Sequence, residues 1–436
     1  MNAASETDSS RRWTLDCGMR YWPSGHEAVA RLPFPIVDAD PGAEPALHHI
    51  ALPDWAADLG VDGRLLVFAS TLSPVEGKPD WQCCDWIANA FYMLAGSPER
   101  AHERLHGPIL SYSFRLPRTL DPLYQHAWVN RSFLFLRRWA AREAGLSEEA
   151  VFGPLPRAQI LLTHDVDAIR LTPEIRFKQT AFQLTNAARA TARGDGSLIR
   201  ARLRDARRYA FSSGDFRTFG RVRDMERSAG IRSTLHFYGG RAGLGRRSPR
   251  RILIDPAYNI GSEMMRRELR AFAEGDWTIG LHQSFDAWEE ADTMLIEKAR
   301  LERALGGMVR HCRQHWLHFS WARTWAAQAA AGLELDSTLG FNDRPGFRAG
   351  HALTIRPWDE AAGKPLAIDA IPMVFMDSHF YDYSSGEDAD PETAMRHWIK
   401  EVQAVGGEIT VNWHTHTITD VYGWEAGFES LLGLLS

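Results

Sequence analysis

Short apolar runs alternate with longer stretches of helical periodicity over residues 156–436, and this alternation restricts the possible folds more than any other feature. Runs that are apolar on both faces are typical of buried parallel strands, because helices cover both sides of such a sheet. The predicted strands span residues 159–166, 233–238, 277–282, 308–313, 333–336, 366–374 and 408–414. We therefore predict an α/β fold with about seven parallel strands, open or closed into a barrel, and a site at their carboxyl ends.

The first 155 residues have a different character, with many Trp and Pro residues and only short apolar patches. They end in a predicted helix over about 126–144 that Gly145 closes, and the segment 152–156 has the Gly and Pro content of a linker. The length of 436 residues also exceeds the roughly 250 to 300 residues that one core usually supports. We therefore predict a smaller N-terminal α+β accessory domain over 1–155 and a larger domain over 156–436.

The charge and apolar content of the chain argue against two classes of partner. A formal net charge of −5 gives no global reason to expect nucleic acid or an anionic membrane. Met1 to Trp13 are polar, and no apolar run reaches the roughly 20 residues that a bilayer span requires. The four cysteines form no C-x-x-C pair, so reduced thiols are expected. Together these features predict a cytoplasmic protein without a transmembrane segment and indicate no particular oligomeric state.

An Arg-rich insertion lies near residues 189–251, with one group of arginines at 200–208 and another at 246–251. Its simplest interpretation is a solvated helical face followed by a loop. The alternative is contact with a phosphate-bearing substrate, such as a nucleotide-linked or lipid-linked sugar. One guanidinium group can bind two phosphate oxygens at once through bidentate hydrogen bonds.

The predicted strand 159–166 runs into the motif Thr163-His164-Asp165-Val166-Asp167. Side chains two residues apart in an extended segment lie on one face, so Asp165 and Asp167 can converge on one site. Two negatively charged carboxylates at such a short distance repel each other and need a cation between them. If one binds a divalent metal, the other can accept a proton from water, which is the division of labour that hydrolysis requires. A calcium-like loop, or a helix cap at Asp167, is the alternative interpretation.

A second predicted strand, 277–282, ends in His282 and continues through Gln283-Ser284-Phe285-Asp286. A histidine at a strand end in the same domain as an aspartate pair is a candidate metal ligand. Asp286 could be a further ligand. Alternatively, Asp286 and Glu289 could form a capping box at the start of a helix, where the carboxylate would bind backbone amides instead of metal.

The motifs T-H-D-V-D, G-I-R-S-T-L-H-F and W-T-I-G-L-H-Q-S-F-D, in this order, resemble the NodB-homology domain of polysaccharide deacetylases (carbohydrate esterase family four) in its divergent D-V-D form. The resemblance implies a distorted (β/α) barrel. It also implies that Asp165 is the catalytic base and that Asp167 and His282 bind a divalent metal, most simply zinc. Asp286 stands where the family has a second metal histidine, so His315 and His414 are further candidates for a third ligand.

The same resemblance implies roles for other residues of the larger domain. It places Arg313 as the arginine that orients the base, with Arg310 as the rival, and His414 as the general acid. Trp413 is expected to line the acyl pocket. His315, Arg348 and Asp377 lie in or near predicted strand-end loops and are expected to contact the substrate.

The expected function is a metal-dependent hydrolase that removes an acetyl group from an N-acetylated sugar or glycan precursor in surface polysaccharide synthesis. The bond would be an amide, or an ester. Two alternatives stay open at this point: an amidohydrolase of the same superfold that acts on a small non-sugar amide, and a non-catalytic sugar-binding or assembly protein that has lost its metal.

Overall fold

The computed structural model describes residues 3–37, 45–192, 194–212, 214–241, 254–383 and 390–436. The strands in these residues are β1 (Leu47–Ala51), β2 (Arg64–Phe68), β3 (Gln159–Val166), β4 (Thr234–Tyr238), β5 (Thr278–Gln283), β6 (His311–Gln314), β7 (Leu335–Asp336), β8 (Trp358–Asp359), β9 (Lys364–Pro365), β10 (Asp369–Ala370), β11 (Met373–Met376) and β12 (Glu408–Asn412).

The α-helices in the same ranges are α1 (Ala3–Cys17), α2 (Glu27–Ala30), α3 (Trp86–Leu94), α4 (Ser97–His106), α5 (Trp128–Glu143), α6 (Glu148–Phe152), α7 (Pro173–Ala192), α8 (Gly196–Phe211), α9 (Phe219–Ser228), α10 (Glu263–Ala273), α11 (Ala291–Leu305), α12 (Thr324–Ala330), α13 (Asp377–Tyr381), α14 (Pro391–Val405) and α15 (Glu425–Leu435). None of them is both long enough and apolar enough to cross a membrane.

Eight strands form the central parallel sheet, in the order β10-β7-β6-β5-β4-β3-β12-β11. Its two edge strands are consecutive in sequence, because β10 ends at Ala370 and β11 begins at Met373. Three residues of extended chain span at most about 11 Å, so the sheet must curl until its edges come close together. The fold is thus an α/β fold consistent with a distorted (β/α) barrel, as the sequence predicted.

One predicted strand was wrong. The apolar run 366–374 forms two short strands at opposite edges of the sheet instead of one continuous strand. Pro372 lies between them and has no N–H to donate to a neighbouring strand. Its carbonyl still accepts a hydrogen bond from the backbone N–H of Thr410. The apolar character of the run does not show that its two halves pair with different strands. Pro372 was the one local signal of the break.

The chain divides into two compact units. The first contains Met1–Ile160, Trp316–Phe375 and His397–Thr410, and the second contains Leu161–His315, Met376–Arg396 and Val411–Ser436. The first unit therefore includes segments from both sides of the boundary predicted near residue 155. With the exception of Arg348, every site residue named from the sequence lies in the second unit.

A buried hydrogen-bond network holds the second unit together around Glu226 of α9, which is fully buried. Its carboxylate accepts hydrogen bonds from His164 Nε2 (2.6 Å) and Trp277 Nε1 (2.6 Å). It also accepts from the backbone N–H (3.1 Å) and the hydroxyl (2.9 Å) of Ser233. Burial would raise the pKa of Glu226, but the hydrogen bonds and the charge of His164 outweigh it and lower the pKa. Because His164 belongs to β3 and Ser233 precedes β4, the network fixes the strands that carry the site.

We expect Glu226→Ala to lower the free energy of unfolding by about 3 to 5 kcal/mol, because it leaves several buried donors without an acceptor. The measurement is the urea midpoint followed by tryptophan fluorescence. Glu263→Ala is the matched control, since that side chain is 90% exposed, and its effect should stay within about 0.5 kcal/mol. Equal effects of the two variants would contradict a supporting role for the network.

Candidate active site

The parallel strands bring polar side chains together at their carboxyl ends. Asp167 follows the last residue of β3, His282 lies near the end of β5, and His315 follows the last residue of β6. The strand registers align these positions, since His282 pairs with Tyr238 on one side and with Arg313 on the other. The carboxyl ends of the strands therefore meet at one place, as expected for a parallel sheet.

Asp167, His282 and His315 form a compact group whose ligand atoms all lie within 4.8 Å of one another. Asp167 Oδ1 is 3.2 Å from His282 Nε2 and 3.6 Å from His315 Nε2. Zinc bonds of about 2.0 to 2.2 Å in tetrahedral geometry place neighbouring ligand atoms roughly 3.3 to 3.6 Å apart. Both distances from Asp167 Oδ1 are close to this spacing, so the group suits a single divalent cation.

Both histidines are held so that Nε2 faces Asp167. His282 Nδ1 donates to the backbone carbonyl of Arg313 (2.9 Å), and His315 Nδ1 lies 3.4 Å from the carboxylate of buried Asp255. A proton fixed on Nδ1 leaves the lone pair of Nε2 available to a metal. Such an acceptor behind each imidazole is usual in protein metal sites.

Asp167 Oδ1 and His282 Nε2 are buried, and neither has a hydrogen-bond partner of good geometry in the part of the chain that the structure describes. Buried polar atoms without partners are rare in folded proteins and call for an explanation such as an ion. Burial would raise the pKa of Asp167, but His315, His282 and His414 lower it. One carboxylate and two imidazoles suit zinc or a similar transition metal, so these residues fit the metal that the sequence motifs imply.

Asp286, which the sequence suggested as a metal ligand, does not belong to this group. It lies within the short 3-10 helix Phe285–Ala287, and α11 begins only at Ala291. The N-cap of α11 is Glu290, so a capping box at Asp286 does not open this helix. The third group of the cluster is His315, which directly follows the next strand, β6.

The carboxylate of Asp165 is surrounded by hydrogen-bond donors. Arg313 Nη1 donates to its Oδ1 (3.2 Å), and Asn412 Nδ2 donates to its Oδ2 (3.1 Å). His236 Nδ1 is 3.3 Å from Oδ1. Burial would raise the pKa of Asp165, but Arg313, His282 and His236 outweigh it and hold the pKa well below its usual range. Asp165 is thus an oriented, ionised carboxylate. The arginine that contacts it is Arg313, whereas Arg310, the alternative candidate for this role, is exposed.

His414 faces the same group from the end of β12. Its Nε2 is 3.6 Å from Asp167 Oδ2, and its Nδ1 donates to Asp377 Oδ1 (2.6 Å). Asp377 Oδ2 accepts from the backbone N–H of His414 (3.0 Å) and from the hydroxyl of Thr417 (2.7 Å). Burial would lower the pKa of His414, but Asp377 and Asp167 raise it to about 10. The structure thus places Asp377, expected from the sequence to contact substrate, as the partner that holds His414.

Two other residues named from the sequence are buried. Trp413 packs against the rings of Tyr381 and Phe428, and its Nε1 has no hydrogen-bond partner among the described residues. Arg348, in the first unit, has a buried guanidinium that donates to Glu99, to the hydroxyl of Ser111 and to the carbonyl of Gly340. These contacts occupy all three of its nitrogens, which indicates a structural role.

Sequence reasoning missed two residues of the site, His236 and Asp255. His236 had a usable signal, because it interrupts the apolar strand β4 on the same face as Tyr238. Asp255 follows an Arg-rich stretch, and no periodicity points to it. The second group of arginines, at 246–251, lies outside the described residues.

No protein-family model and no curated protein sequence matches the chain. Among solved structures, the chain is similar to a protein from Mycobacterium smegmatis that is described, provisionally, as a polysaccharide deacetylase. The two share 14% sequence identity over 64% of this chain and 84% of that one, with a TM-score of 0.35. A similarity of this size says nothing about chemistry, so only the side chains of this chain bear on its function.

Proposed function

We propose that this protein is a metal-dependent hydrolase that removes an acetyl group from an N-acetylated sugar or glycan precursor. The observation that carries the proposal is the convergence of three kinds of group at the carboxyl ends of the strands. A candidate metal-binding triad, Asp167, His282 and His315, lies beside an oriented carboxylate and a histidine with a raised pKa. A metal, a general base and a general acid are together sufficient for metal-dependent hydrolysis of an amide.

Asp165 and His414 would move the protons. An oxygen of the Asp165 carboxylate takes a proton from the attacking water, while Arg313 and Asn412 keep that carboxylate in place. His414 holds a proton on Nε2 and donates it to the leaving nitrogen as the C–N bond breaks. Asp377 keeps the ring of His414 oriented through Nδ1.

Asp167, His282 and His315 would hold the cation, for which zinc is the best candidate. A divalent cation of this kind lowers the pKa of water and polarises the acyl carbonyl. His315 supplies the group that the motif resemblance left open at Asp286. The presence of a complete triad argues against the alternative of a binding protein that has lost its metal.

The substrate class follows from the resemblance of the motifs around Asp165 and His282 to polysaccharide deacetylases. A nucleotide-linked or lipid-linked precursor of a surface polysaccharide is the proposed form. In support, α7 begins six residues after Asp167 and opens an arginine-rich pair of helices suited to phosphate.

Chelation should abolish activity, and zinc, cobalt or nickel should restore it. The assay is acetate release from a panel of N-acetylated oligosaccharides, nucleotide-linked N-acetyl sugars and small non-sugar amides, with the protein before and after treatment with a chelator. We expect activity on the sugar substrates only. Activity confined to the non-sugar amides would overturn the substrate class, and full activity after verified metal removal would overturn the mechanism.

A further inference from the structure

Helices α7 and α8 form a hairpin whose charge differs from that of the rest of the chain. Residues 173–211 contain nine Lys or Arg and three Asp or Glu, a formal charge of +6, whereas the whole chain carries −5. The hairpin also carries four of the exposed large apolar side chains, Phe177, Leu184, Leu203 and Phe211.

Arg176 fixes the geometry of one end of this hairpin. Its guanidinium donates to the backbone carbonyls of Tyr209 (2.8 Å), Ala210 (2.7 Å) and Ser212 (2.7 Å). The start of α7 therefore lies beside the end of α8, and Phe177 and Phe211 share that end. These phenylalanines are 75% and 82% exposed. Large aromatic side chains in water favour any contact that removes them from it.

Basic side chains accompany the exposed phenylalanines. On α8, Arg200, Arg204, Arg207 and Phe211 recur at helical spacing on one exposed face. No ion pair with any described residue engages Arg204 or Arg207. Arginines attract the phosphates of anionic lipids, and exposed phenylalanines can enter the headgroup region, so a face that carries both is suited to an anionic lipid surface.

We infer that this end of the α7–α8 hairpin docks on an anionic lipid surface. The phenylalanines would enter the headgroup region and the arginines would bind lipid phosphates. α7 begins only six residues after Asp167, so the docking end closely follows the candidate metal-binding triad in the chain. If the protein docks on lipid, its favoured substrate is a lipid-linked N-acetyl sugar. This conclusion about the substrate rests on the proposed function.

The test is flotation of the full-length protein with vesicles of phosphatidylcholine alone and of equal parts phosphatidylcholine and phosphatidylglycerol. We expect at least tenfold tighter partition onto the anionic vesicles, weakened by salt. The double variants Phe177→Ser with Phe211→Ser, and Arg204→Glu with Arg207→Glu, should each lower this partition about tenfold or more. Phe114→Ser and Arg303→Glu are the matched controls, because both side chains are exposed elsewhere, and they should bind like the unmodified protein.

Equal partition onto both vesicle types, or unchanged partition of the two hairpin variants, would overturn the inference. So would a dimer in lipid-free solution that the phenylalanine variant dissociates, since the face would then cover a second copy of the chain. Acetate release from a short soluble substrate is measured on the same samples. If a hairpin variant loses vesicle binding and keeps this activity, docking is separated from catalysis. If no sample releases acetate but vesicle binding is as expected, the proposed function is wrong and the docking inference stands.

Discussion

His315→Ala should abolish binding of the divalent metal and, with it, hydrolysis. Loss of a group that only orients a metal ligand typically costs 10- to 100-fold in metal affinity, so loss of a ligand should cost more than about 100-fold. His315 Nε2 is directed at Asp167 by the Asp255 carboxylate behind its ring. Asp255→Asn should therefore produce the smaller effect, within that 10- to 100-fold range. Both are measured as zinc content and zinc affinity of the purified variants.

Asp286→Ala is the matched control for this experiment, because Asp286 stands where the motif pattern would place the third ligand. It should retain full metal content, since the metal-binding group among the described residues does not include it. The opposite result, with metal lost in Asp286→Ala and kept in His315→Ala, would assign the third ligand to Asp286 and refute the cluster as the metal site.

Asp165→Asn should lower turnover by roughly a thousandfold while the metal content stays unchanged. General base catalysis contributes about 10²- to 10⁴-fold, and an amide cannot accept the proton. The variant keeps the shape of the side chain, so Arg313 and Asn412 stay near their positions. Because buried Arg313 would lose its ionised partner, the unfolding midpoint should also fall.

Asp224→Asn, on the exposed surface of α9, is the control and should change neither turnover nor stability. Substantial turnover by Asp165→Asn with full metal content would show that another group takes the proton. Turnover lost together with the metal would instead mean that Asp165 supports the metal-binding triad and does not act as a base.

The first half of this site was predictable because it depends on local pattern. The strand 159–166 coincides with β3, since an apolar run that ends in two carboxylates fixes both the strand end and the faces of Asp165 and Asp167. The end of β5 at His282 followed from the same logic, with a difference of one residue at each boundary.

Local spacing did not single out the third group of this cluster. Spacing within one loop suggested Asp286, with His315 and His414 as further candidates, whereas in the structure His315 joins Asp167 and His282 from the start of the loop after the next strand. There the backbone turns through left-handed conformations at Trp316 (φ 55°) and Leu317 (φ 46°), which bulky residues rarely adopt. Neither residue type signals such a turn. The partnership of His414 with Asp377 likewise depends on the adjacency of β12 and β11, which sequence order does not specify.

The short connection through Pro372 has a consequence for the behaviour of the protein in concentrated solution. The edge of a β-sheet carries unpaired N–H and C=O groups onto which another chain can add a strand, and such additions lead to aggregation. Here the edge strands are two and four residues long, and a two-residue link joins them. Neither edge therefore offers a long template, so the barrel is protected against strand addition by the same curvature that gathers its site.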